Sequence, residues 1–138
     1  MNVAFFLKPK SEVFYIQDSM PLAMALNELL RSGFTAVPVI DREGNYVGAV
    51  SEGDFLCALA NTDGQHLHLT NPGDAEHMRV RDILRPGRNP SGRIDEPAET
   101  LVSRTAGQNF VPIVDDRGVF IGIVTRRNVI RYFLENPR

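Results

Sequence analysis

The stretch GFTAVPVIDREGNYVGAVSEGDFL, residues 33–56, is followed later in the chain by a second version of itself, GQNFVPIVDDRGVFIGIVTRRNVI at residues 107–130. The two versions align without a gap at an offset of 74 residues, and seven of their 24 positions are identical. Three of the identities are glycines at turn or strand positions, and one is a proline within an apolar run. Agreement of this kind at one fixed spacing indicates the internal duplication of a single structural unit.

Each copy has the pattern of a β-hairpin that leads into a helix. The β-branched runs TAVPVID and NFVPIVDD precede the Asp/Gly turns REGN and DRG, after which YVGAV and VFIGIV return. Short strands joined by such turns form hairpins. Gly48 and Gly122 lie inside the returning strands, where glycine indicates a bulge or the close approach of another backbone or a ligand.

Helices are predicted on both sides of the hairpins. Leucines recur at i, i+4, i+7 and i+8 from Leu22, which predicts an amphipathic helix with Ser19 as its N-cap and Gly33 at its C-terminal end. The corresponding helix of the second copy is predicted to be about one turn shorter, because fewer residues precede Gly107. An apolar stripe is predicted on the closing helix and consists of Val129, Ile130, Phe133 and Leu134.

The order β-α-β-β-α, used twice, predicts an α+β fold with two small sheets. Short strands at 13–16 and 92–94 begin the two copies. The predicted boundaries are 6–60 for the first repeat, 61–78 for a polar linker marked by Gly and Pro, and 79–136 for the second repeat. The run RVRDIL, residues 79–84, is predicted as a short helix that leads into the second repeat.

The composition is that of a compact globular protein. The chain has 138 residues, of which 43% are hydrophobic and 23% charged, and its net charge is −2. It lacks the basic excess that non-specific nucleic-acid binding requires. No segment is long enough to span a membrane, and the N-terminal apolar run is too short for a signal peptide. We therefore expect a cytoplasmic protein with no nucleic-acid or membrane partner.

The chain has few residues suited to catalysis or metal binding. Cys57 is the only cysteine, so no intramolecular disulfide forms, and its place in the apolar run DFLCALA predicts a small buried residue. His66, His68 and His77 lack the spacing of a metal site. No phosphate-loop, metalloprotease or hydrolase motif is present. The sequence predicts no metal, no catalytic cofactor and no enzymatic activity.

On these residues the chain resembles a tandem pair of CBS domains. The resemblance rests on GFTAVP and GQNFVP, on the Gly-containing turns, and on VGAVSEGD and IGIVTRRN running into a helix, and it covers roughly residues 6–136. The opening FLKPKSEV is similar to that of small stand-alone bacterial CBS pairs, some of which are adenine-nucleotide or cyclic di-AMP receptors.

This resemblance implies a fold and a function. In the family, two repeats related by a pseudo-two-fold axis pack sheet to sheet with helices outside, and adenosine derivatives bind in the clefts between them. Backbone groups before the strand proline hold the base, a Ser/Thr-x-x-Asp motif holds the ribose, and basic side chains reach the phosphates. Two pairs usually form a homodimer, and many members regulate a protein partner without catalysis.

The motifs Ser51–Asp54 and Thr125–Asn128 each have two compatible interpretations. A Ser or Thr followed three residues later by a polar side chain resembles a helix capping box. A helix that begins after a strand also offers free amides and positive potential to an anion. Asn128 departs from the Asp that is usual in the family, so the resemblance supports ribose binding at Asn128 less than at Asp54.

Arg126 and Arg127 stand in the first turn of the closing helix, where cations oppose the helix dipole. A bound phosphate would reverse that effect and accept bidentate hydrogen bonds. The first copy has Glu52 and Gly53 at these positions, and Glu52 would repel a phosphate. The sequence therefore predicts two non-equivalent clefts, with the anionic site at the arginine pair.

The ligand is expected to be AMP, ADP, ATP or cyclic di-AMP, and the alternative function is a ligand-free structural or dimerisation module. For Val37 and Phe110, packing in the interior is the favoured role, and Lys10 has an ordinary surface position as its alternative. The complete predicted set of ligand-binding residues is Lys10, Thr35, Ala36, Val37, Pro38, Ser51, Asp54, Arg93, Asn109, Phe110, Pro112, Thr125, Arg126, Arg127 and Asn128.

Overall fold

The computed structural model describes residues 2–63, 66–69, 77–85 and 87–136, and for residues 60–63 and 66–69 it describes the backbone alone. The chain divides into two compact units. Unit 1 consists of Met1–Val13, Glu43–Tyr46 and Gly87–Arg138, and unit 2 consists of Phe14–Arg42 and Val47–Pro86. The N-terminal residues therefore belong to the unit that contains the second copy of the duplicated stretch.

The described elements alternate in the way the sequence predicts. The strands are β1 (Leu7–Pro9), β2 (Ile16–Gln17), β3 (Ala36–Ile40), β4 (Tyr46–Ser51), β5 (Ala60–Asp63), β6 (His66–Leu69), β7 (Gly92–Arg93), β8 (Phe110–Val114) and β9 (Phe120–Thr125). The α-helices are α1 (Leu22–Ser32), α2 (Glu52–Leu59), α3 (Ala98–Arg104) and α4 (Arg126–Glu135). Short 3₁₀ turns occupy Val3–Phe5, Lys10–Glu12 and Val80–Asp82. None of the helices described is long and apolar enough to cross a membrane.

Unit 1 contains a four-stranded sheet in the order β1-β9-β8-β7. Strands β8 and β9 form an antiparallel hairpin with Val111 opposite Val124, and β7 lies parallel to β8. Strand β1 pairs antiparallel with the outer edge of β9, with Lys8 opposite Ile123. The buried core of this unit consists of Val3, Phe6, Ala98, Leu101, Val111, Ile113, Val124 and Val129.

Unit 2 contains a three-stranded sheet in the order β2-β3-β4, with β2 parallel to β3. Helix α1 buries Leu22, Ala25 and Leu29 along one face, which confirms the predicted amphipathic pattern. The helix has 11 residues and α3 has seven, so the predicted difference of about one turn is also confirmed. The buried core consists of Ile16, Leu22, Ala25, Leu29, Val37, Val39, Val50, Phe55 and Val80.

The two glycines inside the returning strands are explained by close approaches. A Cβ atom at Gly122 would overlap the carbonyl oxygen of Lys8 in β1, so the pairing of β1 with β9 requires the absence of a side chain there. A Cβ atom at Gly48 would lie 3.2 Å from the Leu84 side chain. The predicted close approach of another backbone is confirmed at Gly122, whereas at Gly48 the neighbour is a leucine side chain and neither backbone nor ligand.

A second internal repeat underlies these approaches. The segments VAFFLKP (3–9) and VRDILRP (80–86) align at an offset of 77 residues, and both begin with a 3₁₀ turn. Val3 is buried in the core of unit 1, and Val80 is buried in the core of unit 2. Each unit is thus completed by an upstream segment of the same kind, which sequence analysis did not align.

The turn of the first hairpin pairs with the turn of the second within unit 1. Phe120 N–H donates to Gly44 O at 2.9 Å, Tyr46 N–H donates to Gly118 O at 3.3 Å, and the Tyr46 and Phe120 rings stack with centroids 6.3 Å apart. The Tyr46 hydroxyl donates to Asn89 O at 2.6 Å. Burial raises the pKa of Tyr46 well above its usual range, so this donor stays protonated.

Of the two predicted ends of helix α1, the N-cap is wrong and the C-terminal glycine is confirmed. Helix α1 has Pro21 as its N-cap, without a side-chain hydrogen bond, so Ser19 is not the cap. Gly33 does end this helix, with a left-handed φ of 78°. Pro38 and Pro112 lie within the continuous strands β3 and β8, and the register shift in the β8–β9 pair lies between Ile113 and Val114.

Other predictions fail because the assumed burial or element type differs. Cys57 is exposed, since α2 instead buries Asp54 and Phe55. The run at 79–84, predicted as a short helix, forms a 3₁₀ turn at Val80–Asp82 that lies in unit 2. The segment predicted as linker contains the antiparallel β5–β6 hairpin. Its residues 64, 65 and 70–76, like the side chains of His66 and His68, lie outside what the structure describes.

We expect Gly122→Ala to destabilise the protein more than Gly48→Ala. The Cβ at position 122 meets backbone, which cannot yield without separating β1 from β9, whereas the Cβ at position 48 meets the end of a leucine side chain. Overpacking costs about 1–3 kcal/mol, and we expect Gly122→Ala at the upper end of this range and Gly48→Ala at the lower end. Urea unfolding of the two variants measures the difference, and equal losses would contradict the proposed backbone contact.

Candidate ligand-binding corners

Each unit contains a corner where the first hairpin strand begins, the second strand ends and a helix starts. In unit 2, Glu52 N–H donates to Thr35 O at 3.0 Å, which joins the start of α2 to the residue before β3. In unit 1, Arg126 N–H makes the equivalent contact to Asn109 O at 3.5 Å. The two corners therefore have the same backbone closure, and the differences between them lie in side chains.

The unit 2 corner is built around a reciprocal capping arrangement. Asp54 N–H donates to Ser51 Oγ at 3.3 Å, and Ser51 N–H donates to Asp54 Oδ2 at 2.9 Å. These two bonds confirm the capping-box interpretation of Ser51–Asp54. Asp54 is only 4% exposed, which makes it one of the few buried polar residues among those described.

Arg85 approaches the buried carboxylate from the 77–85 segment. Its Nε lies 3.4 Å from Asp54 Oδ1, while 54% of its side chain remains exposed. Arg85 carries no sequence signal of a role at this corner, because no periodicity links it to residue 54. The alignment of VRDILRP with VAFFLKP is the signal that would have found it, since it places Arg85 at the position of Lys8.

The unit 1 corner has a one-sided cap. Asn128 N–H donates to Thr125 Oγ1 at 3.1 Å, as predicted for a threonine N-cap. The Asn128 side chain turns instead to the N-terminal segment, where its Nδ2 donates to Phe6 O at 3.4 Å. The substitution of Asn for Asp thus replaces a contact within the motif by a contact to the segment that precedes β1.

Arg126 is held by acceptors of its own unit. Its Nε donates to Thr105 O, one terminal nitrogen donates to Asn109 Oδ1 at 3.0 Å, and the other donates to Ala106 O at 3.1 Å. These bonds tie the start of α4 to the loop between α3 and β8. They give Arg126 a structural role that compensates for its unfavourable place in the first helical turn.

Arg127 points to a different surface. It is exposed and lines a shallow groove along α4 together with Ile130, Arg131 and Leu134. Of the four apolar residues in the predicted stripe, only Val129 is buried. The stripe predicted for α4 is therefore split between the core and an exposed face.

The remaining predicted residues are distributed unevenly. Thr35 and Asn109 are exposed at the corners and Ala36 is half-buried, whereas Val37, Pro38, Phe110 and Pro112 are interior strand residues. The structure does not bring Lys10 and Arg93 to a corner. Lys10 follows β1 at its Gly122 end and has its Nζ near Gly44, and Arg93 lies opposite Val114, at the far end of β8, in an exposed ion pair of 3.0 Å with Asp95.

Comparison with known proteins gives a family match over most of the chain. The model of the CBS domain matches residues 6–61 and, a second time, residues 80–135. The cyclic di-AMP receptor B of Bacillus subtilis is 25% identical over 130 residues, which cover 94% of this chain and 84% of the receptor. The chain spans between 13% and 65% of the length of the first curated relatives that it matches.

Two of the similar solved structures are complexes with an adenine nucleotide. The CbpB protein of Listeria monocytogenes in complex with c-di-AMP superposes with a TM-score of 0.81 at 25% identity, covering 96% of this chain and 95% of that one. CBSX2, a chloroplast protein known from Arabidopsis thaliana, superposes in complex with AMP with a TM-score of 0.76 at 26% identity, covering 99% and 98%. These superpositions confirm the predicted mixed α+β fold with two small sheets.

We expect Arg126→Ala and Arg127→Ala to differ in their effect on stability. Arg126→Ala removes three internal hydrogen bonds from a charged donor and should lower the free energy of unfolding by about 1–2 kcal/mol. Arg127→Ala, one residue away on the exposed face, should stay within about 0.5 kcal/mol of the parent. Chemical denaturation of both variants makes the comparison, and an equal effect of the two would contradict the structural role of Arg126.

Proposed function

The chain belongs to the CBS domain family, and from this premise we propose that it is a non-catalytic, cytoplasmic regulatory module that binds an adenine nucleotide. The observation that carries this proposal is the buried Asp54 carboxylate at a corner that also contains the exposed Thr35 and the half-buried Ala36. Carboxylate oxygens accept hydrogen bonds from a ribose diol, and strand-end backbone groups can pair with the edge of a base.

The similar proteins support the ligand class. The similar Bacillus subtilis protein is a cyclic di-AMP receptor, and the similar Listeria CbpB structure is a complex with c-di-AMP. CBSX2 forms a complex with AMP. These are ligands with one chemistry in common, an adenosine joined to a phosphate. Candidate ligands for this chain are therefore AMP, ADP, ATP and cyclic di-AMP.

Each corner would contribute in its own way. In unit 2, Ser51 and Asp54 would hold a ribose, with Thr35 and Ala36 beside the base. In unit 1, Thr125 and Asn128 would take the same place with Asn109, and the exposed Arg127 in the first turn of α4 would supply a cation for the phosphate. Arg126 would act indirectly, by holding the loop at Ala106 through its hydrogen bonds.

Ligand-dependent thermal unfolding tests this function. We expect at least one of AMP, ADP, ATP or cyclic di-AMP to raise the unfolding temperature, because a ligand at about 100 times its dissociation constant adds about 2.7 kcal/mol of stability. S-adenosylmethionine serves as a comparison that carries adenosine without phosphate. If no nucleotide shifts the transition, the alternative of a ligand-free interaction module replaces this proposal.

An exposed apolar face of α4 supports dimerisation, both in the nucleotide-binding proposal and in its ligand-free alternative. Ile130, Phe133 and Leu134 are 58%, 52% and 75% exposed, which is unusual for three large apolar side chains on one short helix. We propose that a second copy of the chain covers this face in a homodimer, as the family resemblance implies. Through such a dimer, nucleotide binding would be transmitted to a regulated protein partner.

We expect the double variant Ile130→Glu/Leu134→Glu to shift the protein from dimer to monomer, because two buried carboxylates would oppose the apolar contact. Glu135→Gln, on the same helix, is the matched control and should leave the dimer intact. Sedimentation equilibrium of the full chain measures the mass. A monomeric parent, or a dimer unaffected by the double variant, would contradict this use of α4.

A further inference from the structure

We infer that the exposed face of α4 is covered by α2 of a second copy of the chain, so that the homodimer is joined through two equal α2–α4 contacts. The inference rests on the homodimer of the proposed function and deepens it, since it names the surface of the partner that lies on α4. A symmetric dimer could instead pair α4 with α4 or α2 with α2. Three properties of the two helices favour the mixed pairing.

Both helices expose a large apolar side chain at the same position of the duplicated unit. Leu56 in α2 is 59% exposed and Ile130 in α4 is 58% exposed, and the two residues are 74 positions apart, as in the rest of the duplication. The residues before them, Phe55 and Val129, are buried in the cores. Each unit therefore leaves an apolar helix face outside its own core, as is typical of a surface that another molecule covers.

The charges of the two faces are opposite. Helix α2 contains no basic residue, and its exposed acid is Glu52, since Asp54 is buried. Helix α4 contains three arginines and one acid, Glu135, and Arg131 lies beside Ile130 on the exposed face. Pairing α4 with α4 brings two arginine-rich faces together, whereas pairing α2 with α4 brings a carboxylate to such a face. Complementary charge favours association and like charge opposes it.

Side-chain size differs in a complementary way as well. Cys57 occupies in α2 the position that Arg131 occupies in α4, and Gly53 corresponds in the same way to Arg127. All four residues are exposed. The α2 face is therefore low where the α4 face is high. An α2–α4 pair fills the space that an α2–α2 pair leaves empty, and close packing of this kind is what a stable contact requires.

Two-fold symmetry makes the α2–α4 contact twice. Helix α2 of one protomer lies on α4 of its partner, and α2 of the partner lies on α4 of the first protomer, so the assembly closes as a dimer. A stable interface buries on the order of 800 Å² of each partner, which is more than one pair of short helices supplies. Making the contact twice doubles the buried surface and leaves neither apolar face exposed.

Cross-linking through Cys57 tests the pairing, because this residue is the only cysteine of the chain and is exposed. A short bis-maleimide reagent joins two thiols that face each other across an interface. Arg131→Cys adds a thiol to α4 and should give a covalent dimer on a denaturing gel. The parent has a thiol on α2 alone and Cys57→Ser/Arg131→Cys has one on α4 alone. These two proteins are the matched controls and should run as monomers.

Neutral substitutions test the role of charge separately. Arg131→Gln and Glu52→Gln should each raise the dissociation constant of the dimer about twofold to thirtyfold, because each removes one charge of a weak, solvent-exposed pair from both contacts. Arg81→Gln and Glu99→Gln make the same changes of charge at exposed positions outside α2 and α4, and they should leave the constant unchanged. Sedimentation equilibrium at low ionic strength measures all five proteins.

The outcomes separate this inference from the proposed function. If the parent is monomeric, the homodimer is overturned and the inference falls with it, whereas nucleotide binding is decided by the thermal unfolding experiment. If the parent is a dimer but Arg131→Cys gives no more covalent dimer than the two controls, only the α2–α4 pairing is overturned. A tighter dimer of Arg131→Gln also contradicts it, since that result is expected where α4 meets α4. Cross-linking specific to Arg131→Cys, with weaker association of both neutral variants, supports the pairing.

Discussion

The pairing of β1 with β9 is the contact on which the rest of unit 1 depends. It requires a glycine at position 122, because the Lys8 carbonyl occupies the space of a side chain. It also brings Val3 and Phe6 into the core and places Phe6 O beside Asn128. A segment that precedes the first repeat thus completes the sheet of the second and reaches the start of its last helix.

Unit 2 is completed by an upstream segment of the same kind, and this segment passes the corner that contains Asp54. The segment 80–86 aligns with 3–9, and Leu84 lies at Gly48 as Leu7 and Lys8 lie at Gly122. Because an upstream segment passes each corner, one residue of it can act there. In unit 2 that residue is Arg85, whose Nε lies 3.4 Å from Asp54 Oδ1, and the aligned residue in unit 1 is Lys8. The duplication produced two similar corners, which differ in having Arg85 and Asp54 in unit 2 and Lys8 and Asn128 in unit 1.

A positive charge in the first turn of a helix can be compensated by acceptors of the protein itself or by a bound anionic ligand. The helix dipole destabilises a cation in the first turn by some tenths of a kcal/mol. For this reason the sequence favours a bound anion at Arg126. The loop at 105–109 instead supplies two carbonyl oxygens and an amide oxygen to that guanidinium. A local electrostatic conflict is thus resolved within the protein at Arg126, whereas Arg127 keeps its exposed position.

The duplicated hairpins and the flanking helices could be predicted from sequence because turn glycines, β-branched runs and leucine spacing are local signals. Strand β1 could not, since it has three residues, contains Pro9 and pairs with a strand over 110 residues away. Arg85 was missed for the same reason, because its contact with Asp54 joins segments with no shared periodicity. The exposure of Cys57 and Leu134 was missed because an apolar run does not reveal which face another element covers.

A crystal structure of the full chain grown with saturating AMP tests the account most directly. The account predicts nucleotide density at the unit 2 corner, with the ribose hydroxyls within hydrogen-bond distance of the Asp54 carboxylate. A nucleotide bound with its ribose away from Asp54, or a corner that stays empty while AMP binds elsewhere on the chain, would contradict it.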